Sequence, residues 1–211
     1  MTEPNIELLN MDCLLYMKQC EDKQFDLAIV DPPYGIDAGN MQMGNNTKKK
    51  WTKKDWDKNT PTKEYFDELF RISKNQIVWG GNYFDLPPSK CWVVWDKNNG
   101  ESDFADGEMA WTSFNKPMRI KKIHWCGSAS NWEDTNGKIH PTQKPRDLYR
   151  WLLMNYAESG NKIIDTHLGS GSIALACNEL GYDLVGIEID NEYLQKASER
   201  LNQFKKQQTL F

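Results

Sequence analysis

Two stretches of the chain hold residues that could do chemistry. The first is Asp31-Pro32-Pro33-Tyr34, which ends the apolar run "FDLAIV". The prolines remove two backbone donors and hold the chain extended, while their carbonyls stay available as acceptors. The turn therefore offers a carboxylate, free carbonyl oxygens and an aromatic plate. That set suits an exocyclic amino group on a flat heterocycle: its two N–H bonds meet acceptors and its ring stacks on Tyr34. Taken alone, the same stretch is also a strand running into a proline-rich turn.

The second stretch is "IIDTHLGSGSIALACNELGYDLVGIEID", a strand, a glycine turn, a helix, a second strand and a closing acid. Gly169 and Gly171 allow a tight turn and close approach to a ligand. Glu188, ending the second strand, is placed to accept from ribose hydroxyls. Gly169 to Ala174 also satisfies G-x-G-x-x-A with an acid about 20 residues on, so a nicotinamide dinucleotide competes as ligand. Two features weigh against it. Asp165 beside the turn would repel a pyrophosphate but suits an ammonium group. Beyond Glu188 there is room for one helix only, so the third strand of a nucleotide-binding half must come from the N-terminal "IELLNMD" (6–12), with Asp12 capping the helix "CLLYMKQC". The sheet would be continuous in space and cut in sequence. Asp12, Asp165 and Glu188 would then crowd one crevice, which fits a ligand with an amine and hydroxyls better than a diphosphate.

The elements that must position these residues follow from the apolar pattern. Residues 25–31, 76–81, 162–167 and 183–190 are near-continuously apolar, as buried parallel strands are. Residues 91–97, 107–114 and 118–125 carry charges on one side and read as antiparallel or edge strands. A helix is expected from Thr60 as cap and Pro61 as first residue, with Tyr65, Phe66, Leu69 and Phe70 as its stripe. A second helix runs from Pro145 to Gly160, a third from Ser172 to Leu180, and a fourth follows Asn191. Strands alternating with helices predict an α/β sheet covered on both faces. Residues 39–58 have no such pattern and read as a loop.

Bulk composition is consistent with one domain spanning 1–211. The net charge of −4 excludes a globally basic nucleic-acid binder but leaves room for a local basic patch. Nine tryptophans supply a core and a binding face. The five cysteines are scattered without a C-x-x-C pair, which argues against a zinc site or a disulfide framework and for a reducing, cytoplasmic setting. His124 with Cys126 is too sparse for a metal site. "MTEPNIELLN" lacks the pattern of a signal peptide, and no apolar run approaches membrane length.

With "DPPY" first, "HPTQKP" (His140 to Pro145) next and "D-x-x-x-G-S-G" (Asp165 to Gly171) last, the sequence resembles the amino-group (N6-adenine or N4-cytosine) DNA methyltransferases, in the motif order of the permuted β-group. The resemblance covers roughly 6–37 and 76–200. It implies a circularly permuted Rossmann-like fold, S-adenosylmethionine as cofactor, and double-stranded DNA as substrate, in the manner of restriction-modification enzymes. Asp at position 31, where the cytosine enzymes usually show Ser, favours adenine N6. The alternatives are cytosine N4 and, less in keeping with the motifs, an NAD-binding oxidoreductase. The resemblance further implies that Asp31 and the Pro32 carbonyl accept from the target amino group, in the turn closed by Pro33, and that Tyr34 stacks on the base. Asp165, Leu168, Gly169, Ser170 and Gly171 would cradle the methionine part of the cofactor and Glu188 its ribose. Asp12 and Cys13 would contact its adenine, and Gln143 and Lys144 its carboxylate. The family usually shows Phe where this chain has His167. No metal is implied. Homodimers occur in the resembled group.

A base inside a duplex cannot reach such a crevice and must be flipped out, at a cost of a few kcal/mol that phosphate contacts offset. The segment "NNTKKKWTKKDWDKN" (45–59) directly follows the catalytic turn. Its Lys48, Lys49, Lys50, Lys53, Lys54 and Lys58 outnumber Asp55 and Asp57, with Trp51 and Trp56 between them. A charge run is commonly a solvated loop, but this position suits a DNA-clamping one. Residues 96–130, with Trp111, Arg119, Lys121, Lys122 and Trp125, either complete the sheet edge or help read the target.

Overall fold

Along each apolar run nearly every residue is buried and successive side chains go to opposite faces, which builds one sheet with two covered faces. The computed structural model describes residues 3–38, 57–100, 105–124 and 139–208. Its strands are β1 (Ile6–Asn10), β2 (Phe25–Val30), β3 (Ser73–Trp79), β4 (Trp92–Asp96), β5 (Gly107–Thr112), β6 (Arg119–Lys122), β7 (Lys162–Asp165) and β8 (Asp183–Glu188). They lie in the order β1-β8-β7-β2-β3-β5-β4-β6. The pairings are parallel except those of β5 with β3 and with β4. The polar strands thus form the antiparallel extension expected of them, except that β6 pairs parallel with β4. The N-terminal β1 lies against β8, matching Ile6 to Leu184 and Asn10 to Glu188, and supplies the strand that the C-terminal part lacks.

The helices are α1 (Cys13–Met17), α2 (Lys63–Ile72), α3 (Arg146–Tyr156), α4 (Ser172–Leu180) and α5 (Asn191–Gln208). On one face, Leu27, Ile29, Ile77, Ile163 and Leu184 pack with Leu148, Leu152, Ile173 and Ala197 of α3, α4 and α5. On the other, Ala28, Val30, Val78, Ile164 and Val185 pack with Met17 of α1 and Phe66, Leu69 and Ile72 of α2. The residues interleave one by one along each strand, as a pleat of period two requires.

Two helix boundaries differ from the sequence reading. The cap of α2 is Thr62, not Thr60, and its side chain accepts from the Tyr65 N–H. Both threonines are competent caps, but the one at 62 leaves Pro61 outside the helix and puts Glu64 in the first turn, where an acid meets the helix dipole favourably. Helix α3 begins after Pro145 but ends at Tyr156, short of Gly160. Ala157 is already extended, and Glu158 and Asn161 exchange hydrogen bonds that close a turn into β7. The N-cap role of Asp12 holds: its carboxylate accepts from the Leu15 N–H at 2.9 Å.

Candidate active site

Parallel strands deliver their carboxyl ends to one side of a sheet, and ligands bind there. Asp31 follows β2, Thr166 and His167 follow β7, Glu188 ends β8, and Asp12 follows β1. Two cavities open at this rim. The first, about 300 Å³, is lined by Asp12, Cys13, Gln143, Leu168, Gly169, Ser170 and Glu188 among others. The second, about 360 Å³, is lined by Pro32, Tyr34, Tyr83, Lys97, Glu108 and Met109 among others. Asp31, Pro33, Thr142 and Lys144 belong to both walls, so the cavities meet at the DPPY turn.

The first cavity gathers most of the residues expected to hold a cofactor. Glu188 Oε2 accepts from the Gly169 N–H at 2.8 Å and Oε1 from the Asp190 N–H at 2.8 Å, which locks the glycine turn to the end of β8. Arg200 donates to the Ser170 carbonyl and the Ser172 hydroxyl, both at 2.9 Å, and braces the turn from α5. Gln143 Oε1 accepts from the Ile139 N–H, while its Nε2 is buried with no partner. A buried donor left open on a cavity wall asks for an acceptor from a ligand.

Asp165 and Gly171 are not on the wall. Gly171 is in the left-handed region (φ 69°), and a Cβ there would stand 2.9 Å from the Ala197 side chain. It serves the turn and the seat of α5 instead. Asp165 lies beneath the cavity, its carboxylate accepting from the His167 N–H at 3.0 Å. Burial pushes its pKa up to about 8; the His167 N–H opposes the shift, and the charges of Asp31 and Glu188 add to it. The folded chain thus holds a proton that the unfolded chain releases near the ordinary value of about 3.9. That contribution is complete below the ordinary value and is lost as pH climbs towards about 8. The melting temperature of the ligand-free protein should therefore fall more between about pH 5 and pH 8 than that of Asp165→Asn. Parallel curves for the two proteins would contradict this protonation state.

His167 takes over the packing of an aromatic ring. It stands edge-on to Tyr65 at 5.4 Å, with Nδ1 3.0 Å from the Thr166 hydroxyl and Nε2 4.0 Å from the Cys13 sulfur. Burial pulls its pKa down to about 4, so the ring is neutral. Burial likewise pushes the Cys13 thiol up to about 12, and Cys13 is no nucleophile at neutral pH.

The DPPY turn is held from several sides. The Asp57 carboxylate, 2 % exposed, accepts from the N–H groups of Tyr34, Gly35 and Ala38 at 2.6, 3.0 and 2.8 Å. It pins the far end of the basic segment to the DPPY turn. The sequence reading counted Asp57 only as a charge opposing the lysines. Lys48, Lys49, Lys50, Trp51, Lys53 and Lys54 lie outside the described residues. Tyr34 stacks on Tyr83 (5.0 Å, 11°) and packs over Gly80, where a Cβ would fall 2.2 Å from its ring. Only glycine fits beneath this tyrosine, at a left-handed φ of 67°.

Lys144, expected to meet the cofactor's carboxylate, lines both cavities. Its Nζ lies 2.6 Å from Asp31 Oδ2 and 2.9 Å from Glu108 Oε2, with the side chain 2 % exposed. Tyr34 O–H donates to Asp31 Oδ1 at 2.6 Å, and Lys97 pairs with Glu108 Oε1 at 2.8 Å. Burial disfavours the charged lysine, but Asp31 and Glu108 outweigh it and hold its pKa above the ordinary value. Burial would raise Glu108, but Lys144 and Lys97 bring it down to about 2. Burial raises Asp31; Lys144 opposes this and the Glu108 charge adds to it. Glu108 and Lys97 escaped the sequence reading because they lie in or beside edge-like strands whose charges looked solvated.

Among the described residues no cluster of His, Cys, Asp or Glu could hold a metal ion, and no helix is long and apolar enough to cross a membrane.

Known proteins resemble this chain in sequence and in fold. The chain is 25% identical to the Type II methyltransferase M.HpaI of Haemophilus parainfluenzae, over 92% of its own length and 74% of the relative's. It is 22% identical to the Type II methyltransferase M2.MboI of Moraxella bovis, over 95% and 89%. Among solved structures, the M1.HpyAVI–SAM complex superposes with a TM-score of 0.60 at 21% identity, covering 92% of this chain and 99% of that one. The cytosine-N4-specific PvuII DNA methyltransferase gives 0.59 at 13% identity, covering 97% and 93%. The two structures share the fold. The family model for N6/N4 DNA methylases matches residues 87–199, more than half of the chain, which runs from β4 through the HPTQKP segment and glycine turn into α5. On that match, the chain is a member of the N6/N4 DNA methylase family.

Proposed function

We propose that this protein transfers a methyl group from S-adenosylmethionine to the N6 amino group of adenine in double-stranded DNA, acting on a base flipped out of the duplex. One observation carries the reading: a cavity walled by a glycine turn and acids, and a cavity walled by stacked tyrosines, share Asp31 as a common wall. The residues present fit the cofactor. The unpartnered Gln143 Nε2 suits its carboxylate, Glu188 its ribose hydroxyls, and Asp12 and Cys13 its adenine. Leu168, Gly169 and Ser170 line the cavity and would cradle the methionine part, and the buried Asp165 holds the His167 N–H beside them. When bound, S-adenosylmethionine supplies a methyl group already activated by its sulfonium.

The chain's own task is to make a poor nucleophile competent. The adenine amino lone pair is delocalised into the ring. Asp31 and the Pro32 carbonyl, accepting its two N–H bonds, favour a pyramidal nitrogen and stabilise the positive charge that develops on attack. That is preorganised electrostatics aimed at the transition state. The meeting of the two cavities at the DPPY turn supports holding the reacting groups side by side, which would remove much of the entropic barrier. Tyr34, backed by Tyr83, offers the aromatic surface for the base.

Asp31 in place of serine supports adenine over cytosine. The basic segment pinned at Asp57 supports a role in gripping phosphates, and a cytoplasmic setting follows from DNA as substrate. Sequencing DNA from a host that expresses the protein, with detection of modified bases, tests the reading. N6-methyladenine at a fixed site is expected. N4-methylcytosine would change the base assignment, and unmodified DNA would overturn the reading.

A further inference from the structure

The two oxygens of Asp31 are both engaged in this structure, one by the Tyr34 hydroxyl and the other by the Lys144 ammonium. Carboxylate oxygens accept more than one hydrogen bond, so geometry alone does not bar a base amino group. Electrostatics does. An ammonium 2.6 Å from Asp31 Oδ2 cancels much of the field that must stabilise positive charge growing on the target nitrogen. For Asp31 to serve the reaction, that ammonium has to be drawn away or neutralised.

The structure holds a second anion for this purpose. Glu108 Oε2 is 2.9 Å from Lys144 Nζ, so the ammonium already touches both carboxylates. Its contact with Asp31 Oδ2 is the shorter of the two, at 2.6 Å. Glu108 is fixed in place because its other oxygen is paired with Lys97 at 2.8 Å, and because β5 is paired along its length with β4, Glu108 lying opposite Trp95. It lines the cavity on the base side. A buried carboxylate already in contact with the lysine is a second seat on which its ammonium can settle when Asp31 is taken.

Resting on the methyl-transfer reading above, we propose that Glu108 is a positioning residue for that reaction: its Oε2 receives the Lys144 ammonium when Asp31 accepts the amino group of the target base. Lys144 stays charged and shifts between two carboxylates, one following β2 and one on β5, and no covalent bond is made or broken. The groups facing Asp31 in this exchange are Tyr34, Lys144 and Glu108, with Lys97 behind Glu108 and Tyr149 and Asp165 on the far side.

Glu108→Gln keeps the shape and removes the receiving charge, so Lys144 remains on Asp31. Single-turnover methyl transfer at saturating S-adenosylmethionine and DNA should then slow on the order of 100-fold. Affinity for S-adenosylhomocysteine, read by titration calorimetry, should stay at the parent value. Because the Glu108 charge raises Asp31, its removal should also move the acid limb of the pH–rate profile to lower pH. A merely structural role would lower the rate without that displacement. If the Gln variant melts early, Glu108→Asp, which keeps a charge between the two lysines but withdraws it by one methylene, carries the same rate test. Crystals of the parent soaked with adenosine and S-adenosylhomocysteine should show Lys144 hydrogen-bonded to Glu108 and more than about 3.5 Å from Asp31. Lys144 still on Asp31 beside the bound base, or a Gln variant as fast as the parent with an unmoved acid limb, would overturn the proposal. A parent that methylates no DNA would instead overturn the functional reading.

Discussion

Replacing Asp31 with alanine is expected to slow methyl transfer by about a thousandfold or more, with the affinity for S-adenosylhomocysteine changed by less than about threefold. The asymmetry follows from where Asp31 stands. It borders the cofactor cavity, but the groups suited to the cofactor, Gln143, Gly169 and Glu188, are held by contacts that do not involve it. Its loss removes an acceptor needed only as charge develops on the target nitrogen, and such losses fall on the rate of the chemical step. The scaffold should tolerate the change, because Lys144 keeps Glu108 as an anion and the turn stays pinned through Asp57. The measurement is transfer of a radiolabelled methyl group to DNA, beside calorimetric titration of S-adenosylhomocysteine. A variant that methylates at near the parent rate would remove Asp31 from the chemistry.

That Asp31 could be singled out from sequence has a physical basis. A carboxylate after "FDLAIV" must leave the core where the strand ends, and two prolines prevent the chain from hiding it in a helix. The glycine turn and Glu188 were legible for a similar reason: they punctuate strands whose near-continuous apolar runs leave little choice of structure. The N-terminal strand could be assigned to the C-terminal half because that half was one strand short, and β1 does lie against β8.

What stayed hidden was set by tertiary contact. Pro61 favours Thr60 as the cap, yet it is Thr62 whose side chain accepts from the Tyr65 N–H. Gly171 reads as a ligand glycine, yet Ala197, 26 positions on, is what it accommodates. Glu108 sits in a stretch with the period of an exposed edge. Nothing local reveals that its carboxylate is wedged between Lys97 and Lys144, the second of these 36 residues away in sequence. Lys144 was recognised as a site residue and does line the expected cavity, but HPTQKP does not show that its ammonium also reaches Asp31 and Glu108.

The same network makes Lys144 the most consequential lysine of the described residues for stability. Lys144→Met preserves much of the side chain's length, but removes the ammonium that lies 5.2 Å from the Trp79 ring centre and leaves Asp31 and Glu108 without their shared cation. Breaking a buried ion pair from one side costs about 3–5 kcal/mol, since an uncompensated charge remains. Glu108 retains Lys97, so the burden falls on Asp31. Its pKa is already raised by burial, and Lys144 is the chief influence holding it down. In the variant it rises further. At acid pH Asp31 takes up a proton and the loss is small; as pH rises, the folded chain must either keep that proton or bear a lone buried carboxylate. The stability gap between parent and variant, measured by denaturant unfolding, should therefore widen from about pH 5 to pH 8. Residual methyl transfer should need a higher pH than in the parent, because a larger share of Asp31 is protonated at any given pH. A constant gap across that range, or a variant as stable as the parent at neutral pH, would mean that Lys144 does not hold the charge of Asp31.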